Sequence, residues 1–144
     1  MQLTSLLAAA SAVTLASARI VGLAPFGDFG QFLATNESTF ELRFLTLNSQ
    51  QPHWDWSAAV GIRPANETAD ETALGTWLAN VDFVALEQDL TGNGNFTVEI
   101  PMPSSAFKVG TGPYVLTAAV LSSFDATLLQ FHNMTFTAEV SSDA

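Results

Sequence analysis

Apolar and polar positions alternate along most of the chain, in short runs separated by Gly, Pro, Asn and Ser. A period of two is the mark of β-strands, whose successive side chains leave opposite faces. Residues 39–47 (TFELRFLTL) place Phe40, Leu42 and Phe44 on one face, and residues 95–102 (NFTVEIPM) do the same with Phe96, Val98, Ile100 and Met102. In HWDWSAAVGIR, residues 53–63, one parity holds Trp54, Trp56, Ala58, Val60 and Ile62 and the other His53, Asp55, Ser57, Gly61 and Arg63. The first set reads as core and the second as an outward polar face. Residues 114–121 (YVLTAAVL) are apolar on both parities, as in a central strand covered on both sides. In residues 128–140 the apolar phase changes from Leu129 and Phe131 to Met134, Phe136, Ala138 and Val140, which predicts a bulge near His132.

The breaks carry turn chemistry: PFGDFGQF, PANETADETA and TGNGN. Asn93-Gly94 can supply the positive φ angles of a tight hairpin, so residues 81–90 are expected to pair with 95–102. Leu74, Trp77, Leu78, Val81 and Val84 also fit a helical stripe, and a short helical turn is expected over 74–79 ahead of that strand. About seven short strands in one domain predict an all-β fold, a single antiparallel β-sandwich of immunoglobulin-like type without disulfides.

The first eighteen residues, MQLTSLLAAASAVTLASA, lack this alternation. They are apolar in the middle, carry no charge and end on an A-x-A pattern at Ala18, which reads as a secretory signal peptide over 1–18 ahead of a domain over 19–144. Four Asn-x-Ser/Thr acceptors, Asn36, Asn66, Asn95 and Asn133, agree with export and make N-glycosylation expected. Asn95 and Asn133 stand opposite the apolar residues of their runs, so their sugars would point to solvent. No second apolar stretch has spanning length, and a released, monomeric extracellular protein is expected, without membrane insertion.

Fourteen acidic residues against four basic ones (Arg19, Arg43, Arg63, Lys108) give a net charge of −10. Such a surface repels phosphate backbones and anionic lipids, which argues against nucleic acid as a partner. There is no cysteine, hence no thiolate metal site and no cysteine nucleophile.

Catalytic motifs are scarce. His53 and His132 are the only histidines and share no ligand spacing, and no GxSxG elbow is present. Asp28-Phe29-Gly30 repeats the magnesium triplet of protein kinases, but no strand lysine or catalytic loop accompanies it, and it reads as a chance match. The residues from Gly110 to Pro113 read as a turn, and the pairs Asp70/Glu71 and Glu87/Asp89 as solvated charges. No metal, cofactor or enzymatic activity is expected. Trp54 and Trp56 could form a sugar-stacking platform, but their parity favours the core. Trp77, in a loop-flanked segment, is the better candidate for an exposed aromatic, although the core is favoured for it too. Together with His53, Asp55, Ser57 and Arg63 it marks the surface on which docking is expected.

The segments SARIVGLA, DWSAAVG, ALGTWL, NFTVEIPMP and GPYVLTAAVLSSFDATLLQFHNMTFTAEV, in this order, resemble the small necrosis-inducing secreted proteins of filamentous fungi, a group of core effectors. The resemblance implies a non-enzymatic effector released into the plant apoplast, with the host cytoplasm as a second destination. It implies suppression of pattern-triggered immunity through binding of plant immune kinases, both receptor-like and receptor-like cytoplasmic, and cell death on overexpression. The alternative reading is a fungal cell-wall or carbohydrate-binding β-sandwich module.

Overall fold

The computed structural model describes residues 17–25, 31–49, 51–88 and 94–141. Most of the expected leader, the Asp28-Phe29-Gly30 triplet, Asp89 and Asn93 lie outside them. The described chain forms eight strands: β1 (Ser17–Pro25), β2 (Phe32–Ala34), β3 (Thr39–Ser49), β4 (Trp54–Pro64), β5 (Thr76–Asp82), β6 (Phe96–Pro101), β7 (Gly112–Phe124) and β8 (Ala126–Val140). A single 3-10 turn, Ser104–Ala106, precedes β7. The strands make a three-stranded sheet, β1-β3-β6, and a five-stranded sheet, β2-β8-β7-β4-β5, and one of the two is curled as a half-barrel. All pairings are antiparallel except β2 with β8. The expected all-β, two-sheet fold holds; the immunoglobulin type is a finer assignment than these strand orders provide.

The core lies between the sheets and follows the period of two. Phe40, Leu42 and Phe44 of β3 and Ile100 of β6 face Ala58, Val60 and Ile62 of β4 and Leu116, Ala118 and Val120 of β7 across the buried layer. Phe32, Phe40, Phe107 and Phe136 pack edge-on, tilted or stacked at one end, and Phe44, Phe83 and Phe96 edge-on or stacked at the other, with ring centroids between 5.2 and 6.3 Å apart. Truncating one of these rings to alanine costs about 3 to 5 kcal/mol by analogy with other cores. Tyr114 is fully buried and its hydroxyl donates to the Gly110 carbonyl at 2.6 Å, closing the turn that leads into β7.

Three local expectations are corrected, and each correction has a register cause. The expected hairpin of 81–90 with 95–102 does not form, because β5 pairs with β4 while β6 pairs with β3 in the other sheet. Asp82 ends β5: its Oδ1 accepts the amides of Val84 and Ala85, and Gln88 N–H returns to the Phe83 carbonyl, so the chain turns off the sheet. The helical turn expected over 74–79 is strand β5 from Thr76 onward. Its register against β4 shifts between Val60 and Gly61, which leaves Leu78 as the extra residue. Leu78 and Val81, three apart, therefore both point inward, a spacing that imitates a helix.

The bulge expected near His132 is absent, since β7 and β8 pair without a shift from Phe124↔Ala126 to Gly112↔Ala138. The phase change has a different origin. Met134, Phe136 and Ala138 are buried on the inner face, while Leu129, on the outer face, stands exposed where nothing among the described residues covers the sheet.

Candidate functional site

The stretch from His53 to Arg63 is placed by two irregularities. Against β7 the register of β4 shifts between Asp55 and Ser57, with Trp56 as the extra residue. Parity holds after the bulge, where Ala58, Val60 and Ile62 are buried, and is inverted before it. His53 and Asp55, expected outside, are therefore buried, whereas Trp56, expected in the core, is exposed and Trp54 is half-buried. Ser57 keeps its outward position, half-buried opposite Leu121. Arg63 is on the outward face as expected but is buried as well, because the segment 65–75 folds back over this part of the sheet.

That cover is held closely. A Cβ at Gly61 would lie 2.4 Å from the Leu74 carbonyl oxygen, so only glycine lets the segment approach. Asn133 Nδ2 donates to the Glu71 carbonyl at 3.3 Å, and Asn133 Oδ1 accepts the Thr117 hydroxyl. Thr117 is fully buried although it points away from the core between the sheets. The Arg63 Nε finds no hydrogen-bond partner under this cover.

Asp55 sits at the opposite end of the same strand, 1% exposed, and its carboxylate accepts three donors. They are Ile20 N–H of β1 at 3.0 Å, the Ser122 hydroxyl at 2.6 Å and His53 Nε2 at 3.1 Å. His132 lies near this group. Burial lowers its pKa from the usual 6.5, the Asp55 charge acts the other way, and its Nε2 has no partner. The structure thus brings a serine, an aspartate and both histidines together, which sequence spacing did not foretell. Their connectivity differs from a hydrolase triad: the carboxylate stands between serine and histidine, so the hydroxyl is bonded to no imidazole that could take its proton. What the arrangement does is tie one sheet to the other. Among the described residues no group of three or more His, Asp or Glu side chains is placed to hold a metal ion.

Between this end and the covered end, the outer face of the five-stranded sheet is open and apolar. Small residues, Ala59 and Ala119, floor a groove of about 460 Å³ edged by Leu121, Leu129, Asn80 and Asp82. Leu129 is 55% and Leu121 37% exposed; Trp56 is 38% exposed, its ring parallel to that of Trp54 with centroids 6.5 Å apart. Trp77, 61% exposed on β5, is steadied by its Nε1 donating to Asn80 Oδ1 at 3.1 Å. Of the expected docking residues, only Trp77 and Ser57 belong to this open face. Leu121 and Leu129 were missed because an all-apolar run reads as a strand covered on both sides, and β7 is so covered along only part of its length. All four glycan acceptors, Asn36, Asn66, Asn95 and Asn133, are exposed.

The sequence profile of the Nis1 family matches residues 16–139. No curated protein sequence matches the chain. Among solved structures, the superoxide reductase (neelaredoxin) of Ignicoccus hospitalis is similar with a TM-score of 0.42 at 11% identity, over 85% of this chain and 82% of that one. A single-site variant of the same reductase is similar with a TM-score of 0.39 at 11% identity, over 89% of this chain and 82% of its own.

Proposed function

The chain belongs to the Nis1 family, and from that premise we propose that it is a secreted fungal effector that suppresses plant pattern-triggered immunity by docking on immune kinases, receptor-like and receptor-like cytoplasmic, and that provokes cell death at high dose. It acts by binding, without catalysis. The family name is consistent with induction of necrosis, and the open apolar groove of Ala59, Ala119, Leu121 and Leu129 is the observation that carries the docking. Exposed apolar surface of this kind on a small protein marks a contact site. The leader and the four exposed acceptors support an apoplastic, glycosylated product, with the host cytoplasm as a second destination.

The test is expression in leaves, followed by measurement of the oxidative burst after a microbial elicitor and affinity capture from the same tissue. A reduced burst with an immune kinase in the captured material is the expected result. An undiminished burst with no kinase captured removes the proposal.

A further inference from the structure

At the end of the molecule where Asp55 joins the sheets, two clefts of about 410 and 420 Å³ meet on shared residues, Gln51 and Phe124. Each volume lies within the range of small-molecule sites, and together they form an elongated groove. The first cleft is lined by both polar and apolar groups: the carboxamides of Asn48 and Gln130, and Phe124 and Leu128. The second cleft continues from Phe124 to Pro52 and the half-buried ring of Trp54.

Part of the lining is held in place by the protein itself. Ser49 Oγ donates to the Gln51 carbonyl at 2.8 Å and accepts Gln51 N–H at 3.4 Å, which ties these two rim residues together. His53 forms the floor, locked by its bond to Asp55 and lying against Phe124 with ring centroids 6.3 Å apart. Trp54 is backed by the parallel ring of Trp56.

We propose that this groove binds an uncharged oligosaccharide. A carboxamide offers a donor and an acceptor side by side, the complement of neighbouring sugar hydroxyls or of an acetamido group. Aromatic faces such as Phe124 and Trp54 cover the C–H face of a pyranose ring. An anionic ligand is disfavoured, because Arg19 at one end is offset by Asp125 at the other on a molecule of net charge −10. The inference does not rest on kinase docking, which uses the outer sheet face.

The test is an NMR titration of the secreted chain with the tetramer of N-acetylglucosamine and, separately, a tetramer of glucose. Saturable shifts at Gln51, Phe124, Trp54 and Gln130 with either sugar are expected, and the better ligand tells an acetamido sugar from a plain glucan. Asn48 and Gln130 make no side-chain hydrogen bond to the described residues, so Asn48→Ala and Gln130→Ala leave the fold intact. Each should weaken binding by about tenfold, the worth of one good hydrogen bond. Absence of shifts in the groove at about 10 mM of both sugars, where even a millimolar site is filled, overturns the proposal. So does binding that both variants leave unchanged.

Discussion

Asp55 Oδ2 on β4 accepts the backbone amide of Ile20 on β1 at 3.0 Å, so a single buried carboxylate fastens the five-stranded sheet to the three-stranded one. Its other oxygen holds Ser122 and His53. Removing the carboxylate strands three buried donors at once. Asp55→Ala is expected to cost about 3 to 5 kcal/mol, the usual loss when one partner of a buried charged set is deleted, while Ser122→Ala costs about 1 kcal/mol. Urea unfolding of the three proteins measures the difference, and equal stabilities would show that the sheets are joined by apolar packing alone.

His132 sets a pH dependence. Its folded pKa lies below the unfolded value of 6.5 because burial disfavours the charged ring, so the unfolded chain binds the proton more readily. The contribution to stability is complete above 6.5 and is lost as pH falls through that value towards the depressed folded pKa. Thermal melts from about pH 7 to about pH 5, the range of histidine titration, should show a steeper fall for the parent chain than for His132→Gln. Parallel curves would assign the slope to other groups.

Gly61 permits the segment 65–75 to lie on the sheet. In Gly61→Ala the new methyl would meet backbone oxygen of Leu74, which cannot step aside like a side chain. Overpacking of this kind costs about 1 to 3 kcal/mol. Limited proteolysis should then cut the variant within 65–75 faster than the parent, and an unchanged cleavage rate would mean that the cover is not held at this point.

Leu129 offers the cleanest probe of the outer face, because it is exposed and supports no core contact of the sandwich. Leu129→Asp should shift stability by no more than about 0.5 kcal/mol, as surface changes do, and should abolish capture of the proposed kinase partner. A variant that is equally stable and equally competent in capture would move the docking surface elsewhere.

The four acceptors differ in what the amide nitrogen is doing. Asn133 Nδ2, the atom that would carry a sugar, donates to the Glu71 carbonyl under the covering segment, whereas Asn36 and Asn95 use only their Oδ1 as acceptors. Glycopeptide mass spectrometry of the chain expressed through a secretory pathway should find the lowest occupancy at Asn133. Full occupancy there would show that the Asn133–Glu71 contact forms only in the unmodified chain.

Most of the strands and most of the core were legible in the sequence, and the misreadings cluster at particular residues. Phe40, Leu42 and Phe44 on β3 and Ala58, Val60 and Ile62 on β4 are buried as their alternation requires. His53 and Asp55 were misread by one step because Trp56 bulges, and Leu78 imitated a helix for the same reason in β5. Arg63 and Thr117 are buried on the outward face by a segment whose sequence, PANETADETA, shows only that it is a loop.

Which residues alternate, where turns fall and how acidic the surface is were determined by the sequence alone, because side-chain alternation and turn chemistry are local properties of a strand or loop. Sheet membership, the bulges at Trp56 and Leu78, the cover over Gly61 and the meeting of Asp55 with Ile20 were decided only by the tertiary structure. A bulge exists only relative to a partner strand's register, and burial only relative to what packs against a face, so neither is written in one strand's own pattern.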